Sequence, residues 1–269
     1  GDRYAYRKEL VRGKIDRRLQ KVQKAGYKYT FCPVCDHGIA IRWIAELIDE
    51  LELKEKTICA TSIGCSVFLY DFLNIDCIEA PHGRAMAEAT GVKRARPNNF
   101  VFTYQGDGDF ASIGLAESMH GALRGEKITG ICINNTTYGM TGGQMGPTTM
   151  LGQKTTTSPM GRFVDTYGYP IQIAEHIAMC DGTAFSARVA LDSVAHINQA
   201  KNVLRKAFQT QLNGLGYSFV EFLATCPTNW KMTPEQAHER VRNEMVKTYP
   251  LGVFKDVTEG ITPTIQSVN

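Results

Sequence analysis

Two polar segments, each following a mainly apolar run, constrain this chain more than any other feature. Residues 100–104 predict a buried strand that leads into Gly-Asp-Gly-Asp at 106–109, and residues 128–133 predict a second strand that ends at Asn134-Asn135. Residues 113–123 between them predict a helix. A strand, a helix and a second strand in this order form a parallel pair, whose carboxyl ends share one edge of a sheet. We therefore expect Asp107 and Asn135 to lie close together.

The side chains that would meet at this edge are oxygen donors suited to a divalent cation. Mg²⁺ prefers six hard oxygen ligands. The Asp107 carboxylate, the Asn135 amide oxygen and the Thr137 main-chain carbonyl can supply three of them, and two phosphate oxygens would nearly complete the shell. Glycines at 106 and 108 let backbone N–H groups approach the phosphates. A plain strand–turn–helix is the simpler interpretation, but it does not account for the paired segment, so we predict a magnesium–diphosphate site.

The remainder of the chain repeats the alternation of short apolar strands and amphipathic helices. Residues 139–162 predict a long loop, which in a compact domain is usually functional. This pattern predicts an α/β fold with a doubly wound, mainly parallel sheet, in which ligands bind at the carboxyl ends of the strands. The predicted strands cover 57–61, 100–104, 128–133, 183–190 and 217–223, the last of them closing the sheet, and the predicted helices cover 39–51, 83–94, 113–123, 171–179 and 197–212.

Positive charge is concentrated at the start of the chain. Residues 1–28 hold ten Lys or Arg and three acidic residues, although the net charge of the whole chain is only +3. Apolar residues recur there at roughly helical spacing, so we expect a basic helical arm over 1–28 and one domain over 29–269. The arm either docks on a partner or forms a solvated basic helix. We do not expect nucleic-acid binding, because no basic patch interleaved with aromatic residues follows this segment.

The chain shows neither a membrane span nor a secretory signal. No run approaches the roughly 20 apolar residues of a membrane span, and no apolar core follows the basic N-terminus. We therefore expect a cytoplasmic location. In a reducing compartment, closely spaced cysteines indicate a metal or redox site rather than a disulfide.

Four of the eight cysteines form a candidate metal site. Cys32 and Cys35 have the two-residue spacing common to zinc and iron–sulfur sites. Cys65 follows a predicted strand, and Cys226 precedes a proline that stiffens its turn. Four thiolates suit either Zn²⁺ or a 4Fe–4S cluster, and the spacing does not separate the two. The remaining cysteines are expected to be structural, as small apolar side chains: Cys59, Cys77, Cys132 and Cys180.

Taken together, these motifs resemble a known family. The paired segments are similar to the fingerprint of thiamine-diphosphate enzymes, and residues 32–226 resemble the β subunit of 2-oxoacid:ferredoxin oxidoreductases. The version here, which includes Tyr249-Pro-Leu-Gly, is similar to subunits of 2-oxoisovalerate or 2-oxoglutarate enzymes. Val34 and Asp36 stand where the family commonly has glycine. The segments that carry the resemblance are 32–38, 64–66, 82–85, 104–109, 134–135, 138–145, 152–158 and 225–230.

The resemblance implies a thiamine-diphosphate-binding (PP-type) domain with a defined set of site residues. Mg²⁺ would be held by Asp107, Asn135 and the Thr137 carbonyl. His82 would be the catalytic candidate, whereas His37 is expected to pack or hydrogen-bond. A 4Fe–4S cluster would be ligated by Cys32, Cys35, Cys65 and Cys226. The cofactor would contact Ile63, Gly64, Cys65, Ser66, His82, Gly106, Asp107, Gly108, Asp109, Asn135, Thr137, Gly139 and Met140.

The implied activity is the CoA-dependent oxidative decarboxylation of a 2-oxoacid to acyl-CoA and CO₂. The electrons would pass through the 4Fe–4S cluster to ferredoxin. Thiamine is normally activated by a glutamate of a pyrimidine-binding domain, so an α subunit with that domain is expected as the essential partner. Subunits of γ and ferredoxin-like type are further candidates. Three alternatives stay open: a non-redox thiamine-dependent decarboxylase subunit, a zinc-stapled version of the fold, and a non-catalytic assembly subunit.

Overall fold

The computed structural model describes residues 30–258, so the arm predicted over residues 1–28 lies outside the described part. The strands are β1 (Thr57–Ser62), β2 (Asp76–Ala80), β3 (Phe100–Gly106), β4 (Thr129–Asn134), β5 (Thr137–Tyr138), β6 (Gln144–Met145), β7 (Thr183–Ala190), β8 (Tyr217–Leu223) and β9 (Gly252–Asp256). The α-helices are α1 (His37–Glu50), α2 (Ala85–Ala95), α3 (Leu115–Leu123), α4 (Val164–Tyr167), α5 (Ile173–Ala178), α6 (Val194–Leu212), α7 (Pro227–Trp230), α8 (Pro234–Arg240) and α9 (Val246–Thr248).

Seven strands form one sheet in the order β2-β1-β3-β4-β8-β7-β9. All neighbouring pairs are parallel except β7 and β9, which run antiparallel. The central strands β4 and β8 are buried along their whole length, since helices cover both faces of the sheet. This double cover explains why these strands have mainly apolar sequences rather than alternating ones.

Two hydrophobic cores fill the space between the sheet and its helices. On one face, α1 and α6 pack on the sheet through a core that includes Leu47, Phe102 and Phe208. On the other face, α2, α3 and α5 pack through a core that includes Met86 and Phe219. The predicted doubly wound, mainly parallel α/β fold is therefore confirmed.

The sequence-based prediction was wrong at the edges of the sheet. Strand β8, predicted to close the sheet, lies between β4 and β7, and the two edge strands β2 and β9 were not predicted. Both edge strands carry charged residues (Asp-Cys-Ile-Glu-Ala and Gly-Val-Phe-Lys-Asp) because they are not buried on both sides. Such short runs lack the apolar signal that identifies an interior strand.

Helix starts also differ from the prediction by a few residues. Helix α3 begins at Leu115 because a wide π-type turn, Asp109–Ile113, comes first. Helix α6 begins earlier, at Val194, because the Ser193 hydroxyl accepts a hydrogen bond from the His196 N–H and caps it. In the part of the chain that the structure describes, no helix has the length and apolar character needed to cross a bilayer.

The turns that follow β1, β3, β4 and β8 all lie at the carboxyl edge of the sheet. They contain residues 63–66, 107–109, 135–137 and 224–226, respectively. The parallel topology thus brings the predicted magnesium segments and two of the four predicted cysteine ligands to one edge.

Candidate functional site

A cavity of about 200 Å³ opens at this carboxyl edge. All thirteen predicted cofactor-contacting residues line it, together with three that were not predicted to do so: His37, Tyr138 and Thr141. The lining comes from the turns after β1, β2, β3 and β4, from the β5–β6 hairpin and from the first residue of α1. The structure therefore brings the predicted residues together around one cavity, and their contact with a cofactor stays a prediction.

Asp107 is a buried carboxylate whose position is fixed by a hydroxyl group. Its side chain is shielded by the 139–162 loop, from which the Thr148 hydroxyl donates a hydrogen bond to Oδ2. Burial raises the pKa of Asp107 to about 7. The position that a Cβ on Gly146 would take lies 3.8 Å from both Asp107 Oδ2 and Thr137 Cα, so these two candidate ligands converge. A divalent cation at this point would offset the cost of burying the carboxylate charge.

The turn after β4 presents the other two candidate magnesium ligands in an unusual backbone conformation. Thr136 has φ +61°, a left-handed value that is uncommon for a β-branched residue. Its N–H donates to Asn134 Oδ1 over 3.1 Å, and its carbonyl accepts from Thr149 Oγ1 over 2.7 Å. Gln153 Nε2 donates to the Thr136 hydroxyl over 3.0 Å. These bonds hold the turn so that Asn135 and Thr137 flank the cavity.

A buried ion pair between Arg188 and Glu221 supports the turn after β4 through Asn134. Asn134 Nδ2 donates to Glu221 Oε1 over 2.7 Å, and Arg188 Nε donates to Glu221 Oε2 over 2.8 Å. The Arg188 and Glu221 side chains are both fully buried, and Arg188 also bonds Glu175. A buried charge pair fixes geometry well but leaves a costly unpaired charge if one partner is removed.

Gly108 allows the Gly-Asp-Gly turn after β3 to lie directly against the β5–β6 hairpin. A Cβ at this residue would stand 2.2 Å from Cε1 of Tyr138, which is too close for any other amino acid without movement of the ring. Gly108 has φ −64°, so the requirement is for space rather than for an unusual backbone angle. The close approach brings Tyr138 and the Gly-Asp-Gly turn to the same wall of the cavity.

Asp109 orients His82 rather than capping a helix. Its Oδ1 accepts hydrogen bonds from Ser62 Oγ (2.8 Å) and from the Gly83 N–H (2.6 Å), and its Oδ2 accepts one from Gln105 Nε2 (2.6 Å). His82 Nδ1 lies 2.7 Å from the same Oδ1. Burial raises the pKa of Asp109, whereas these bonds act in the opposite direction. The ring of His82 is thus held by one nitrogen at the rim of the cavity.

His37 lines the cavity but is held as a structural residue, as its sequence context predicted. It is 3% exposed, and its ring stacks on Phe31 at 5.0 Å between centroids. Nδ1 lies 2.7 Å from the Tyr104 hydroxyl. Burial lowers the pKa of His37 to about 3, so the imidazole is neutral.

The four candidate cysteine ligands are free thiols that lie near one another. Burial raises the pKa of Cys65 to about 11, and the proximity of Cys226 and Cys32 adds to the shift. Burial likewise raises the pKa of Cys35, with further contributions from neighbouring acidic groups that include Cys65 and Cys226. Such a group of mutually close thiols fits a site in which a cationic metal centre would stabilise the thiolates.

Gly139 lies beside two of these thiols and beside the candidate magnesium ligand Asn135. A Cβ at Gly139 would lie 3.5 Å from Cys65 Sγ, 3.5 Å from Cys226 Sγ and 3.6 Å from Asn135 Nδ2. The cysteine site and the predicted magnesium site are therefore adjacent. Among residues 30–258, no group of three or more His, Cys, Asp or Glu side chains is arranged to hold a single metal ion.

The other four cysteines behave as structural residues. Cys59, Cys132 and Cys180 are buried, and Cys77 is half-buried opposite Cys59 on the neighbouring strand. The prediction that they pack as small apolar side chains is thus confirmed for the three buried ones. Sequence reasoning missed Thr148, Glu221 and Asn229, because no spacing or motif signals their contacts.

The fold and the site define a class of protein, and comparison with known proteins agrees with it. Residues 62–222 match the family model described as "Thiamine pyrophosphate enzyme, C-terminal TPP binding domain". This span begins at the end of β1 and ends in β8, so it includes the Gly-Asp-Gly and Asn-Asn turns. The protein is therefore a thiamine-pyrophosphate-binding chain.

Its relatives identify the family within that class. Ketoisovalerate oxidoreductase subunit VorA of Methanothermobacter thermautotrophicus is 41% identical over 237 residues, which cover 88% of this chain and 50% of VorA. 2-Oxoglutarate synthase subunit KorB of Methanocaldococcus jannaschii is 38% identical over 211 residues, which cover 78% of this chain and 74% of KorB. The chain belongs to this family of 2-oxoacid:ferredoxin oxidoreductase β subunits, although it spans about half the length of VorA.

A solved structure shares the fold. The 2-oxoglutarate:ferredoxin oxidoreductase from Magnetococcus marinus matches with a TM-score of 0.69 and 24% identity, over 84% of this chain and 81% of that chain. The two chains thus share the overall fold.

Proposed function

We propose that this chain is the cofactor-binding subunit of an enzyme that oxidatively decarboxylates a 2-oxoacid to acyl-CoA and CO₂, with ferredoxin as the electron acceptor. One observation carries the proposal: Cys65 lines the same cavity as the candidate magnesium ligands Asp107, Asn135 and Thr137. A site for electron acceptance beside the site of decarboxylation is what an oxidative reaction requires. A non-redox decarboxylase has no use for it.

In this proposal Asp107, Asn135 and the Thr137 carbonyl hold Mg²⁺, and the metal holds the diphosphate. Thiamine diphosphate, when bound, supplies the electron sink that decarboxylation needs. The chain's own contribution is placement. Thr148 and the Asn134–Glu221–Arg188 pairings fix the ligands, and the surrounding buried residues exclude water from the carboxylate.

His82 is the proposed catalytic residue of this chain. With Nδ1 held by Asp109, Nε2 is the ring nitrogen that can exchange a proton or a hydrogen bond with a bound ligand. The carboxylate partner fixes the tautomer and the direction of the ring, as in other oriented histidines. Its side chain is 32% exposed toward the open side of the site, where a substrate would enter.

Cys32, Cys35, Cys65 and Cys226 are the proposed ligands of a 4Fe–4S cluster. Cys65 lies at the cavity and Cys32 is exposed at the surface, so the set connects the cofactor site with the outside of the protein. That arrangement suits the transfer of electrons to a separate carrier protein. A zinc site would offer the same ligands but no electron transfer.

We further propose that a partner chain completes the cofactor site. The cavity of about 200 Å³ is smaller than the roughly 300–1,000 Å³ of a typical complete ligand site. The exposed side chains of Ile63 and Met140 at its rim would be covered by the pyrimidine-binding domain of an α subunit. The names of the relatives, 2-oxoglutarate and ketoisovalerate enzymes, set the two substrate candidates. Subunits of γ and ferredoxin-like type remain candidate partners.

The test is an assay of the anaerobically reconstituted complex with a panel of 2-oxoacids, CoA and a one-electron acceptor. We expect CoA-dependent reduction of the acceptor with one preferred 2-oxoacid, and iron and acid-labile sulfide in the protein. Asp107→Ala should abolish thiamine diphosphate binding and activity, because it removes the carboxylate ligand of Mg²⁺. The exposed Asp165→Ala serves as the matched control and should keep both. Full activity of Asp107→Ala, or turnover without an electron acceptor, would contradict the proposal.

A further inference from the structure

Asn229 has no part in the function proposed above, yet it lies between the cofactor cavity and the cysteine site. It falls in α7, the short helix that directly follows Cys226. The helical turn places its side chain over that cysteine. Asn229 Nδ2 donates a hydrogen bond to Cys226 Sγ over 3.2 Å and another to the Gly139 carbonyl over 2.8 Å.

The second of these bonds reaches the wall of the cofactor cavity. Gly139 lines the cavity on one side and faces Cys65 Sγ and Cys226 Sγ on the other. The β5–β6 hairpin also packs against Asn229 at Gly143, where a Cβ would come within 3.1 Å of Asn229 Oδ1. One amide side chain therefore joins the hairpin that lines the cofactor site to a cysteine of the metal site.

The amide also changes the electrostatics of the sulfur. The Cys226 sulfur is half-buried, and the Asn229 side-chain N–H is directed at it over 3.2 Å. A hydrogen-bond donor stabilises a thiolate because it withdraws negative charge from the sulfur. In iron–sulfur proteins, hydrogen bonds to the sulfur atoms are among the factors that set the reduction potential.

We propose that Asn229 is a positioning residue that sets the reduction potential of the cluster and holds it at a fixed distance from the cofactor. The N–H···S bond withdraws charge from the Cys226 sulfur, so the cluster accepts an electron more readily. The bond to the Gly139 carbonyl fixes the backbone that lies between the cavity and the Cys226 sulfur. This inference rests on the cluster ligation proposed above.

The experiment compares Asn229→Ala, Asn229→Asp and the exposed control Asn198→Ala in the reconstituted complex. Iron and acid-labile sulfide are measured first, and then the midpoint potential of the cluster is determined by a reductive titration monitored by electron paramagnetic resonance. We expect Asn229→Ala to disfavour the reduced cluster about tenfold, which is about 59 mV for a one-electron couple. Asn229→Asp should lower the potential further, since it replaces the donor with a negative charge beside the sulfur. Asn198→Ala should match the parent.

The outcomes separate this inference from the function on which it rests. If the parent protein holds no iron, the proposed function fails. If the parent and both Asn229 variants hold full iron and show equal potentials, the inference fails and the function stands. If Asn229→Ala holds less iron, the iron content of Asn229→Asp separates loss of the hydrogen-bond donor from loss of side-chain volume, because aspartate has the same shape as asparagine. Loss of iron from both variants, with thermal unfolding like that of the parent, would support the positioning half of the inference.

Discussion

At the scale of single residues, the candidate magnesium site depends on side chains that touch a ligand without being one. Thr148 contacts Asp107, and the Tyr249 hydroxyl in turn donates a hydrogen bond to the Thr148 carbonyl. Glu221 acts one residue further away, since it accepts a hydrogen bond from Asn134, the chain neighbour of the candidate ligand Asn135. Such partners orient the ligands, and their loss commonly lowers metal affinity 10–100-fold.

Thr148→Val should weaken Mg²⁺ binding by roughly tenfold, because it removes the hydroxyl donor to Asp107 Oδ2 and keeps the shape of the side chain. The measurement is a Mg²⁺ titration of the complex at saturating thiamine diphosphate, followed by cofactor retention. Thr166→Val, at an exposed position of α4, is the control and should leave the Mg²⁺ affinity unchanged. An equal affinity in parent and Thr148→Val would show that the hydroxyl does not orient the carboxylate.

Gly108→Ala should destabilise the protein by about 1–3 kcal/mol, the usual range for an overpacked contact. The new methyl group would stand 2.2 Å from the Tyr138 ring, and the backbone angles there suit alanine. The clash is therefore with a single side chain. Denaturant unfolding of Gly108→Ala, Tyr138→Ala and the double variant checks this reason. Stability in the double variant should return toward that of Tyr138→Ala, and strictly additive losses would refute the clash.

At the scale of structural elements, one guanidinium group organises the long loop and the segment after it. The Arg162 side chain is buried and donates only to backbone carbonyls. Three acceptors belong to the turn at 146–149 and three to the segment 167–169. Because Thr148 lies in that turn, the loop that contacts Asp107 depends on this side chain for its shape.

Arg162→Met should release this loop while it leaves the sheet intact. Six carbonyls would lose a charged donor, and hydrogen bonds to charged groups typically contribute about 1.5–3 kcal/mol each at most. Hydrogen–deuterium exchange should therefore speed up over residues 146–169, whereas β3, β4 and β8 keep their protection. Arg124→Met, at an exposed arginine, should change neither region. Unchanged exchange over 146–169 would contradict this role of Arg162.

The interior elements were predictable and the edge elements were not, for a physical reason. Strands such as β3 and β8 are covered on both faces, so their sequences are mainly apolar and can be recognised as strands. Edge strands β2 and β9 combine few apolar residues with charges, which fit many local structures. The order of the strands could not be predicted from the sequence either, because β8 pairs with β4 although β7 lies between them in the chain.

At the scale of the whole molecule, both candidate sites include turns at the carboxyl edge of the sheet. Cys226, in the turn after β8, belongs to none of the three hydrophobic core clusters, whereas Cys35 and Cys65 pack against the first of them. The sequence predicted these turns as candidate sites because metal and phosphate chemistry calls for ligands such as Asp107, Asn135 and Cys226. It did not reveal the contacts between the sites, such as those of Asn229, because they join residues far apart in the chain through common hydrogen bonds.

The position of Cys226 outside the cores predicts that the proposed cluster can be removed without loss of the fold or of the candidate magnesium site. Cys226→Ser should abolish iron binding and CoA-dependent reduction of the acceptor, because a serine hydroxyl is a poor substitute for a thiolate ligand. Thiamine diphosphate should still bind in the presence of Mg²⁺, since Asp107, Asn135 and Thr137 are unchanged, and unfolding should shift by no more than about 1 kcal/mol. Cys77→Ser, on edge strand β2, is the matched control and should keep its iron. The measurement is the iron, sulfide and thiamine content of the purified complexes. A Cys226→Ser protein that reduces the acceptor at the parent rate would rule out Cys226 as a ligand.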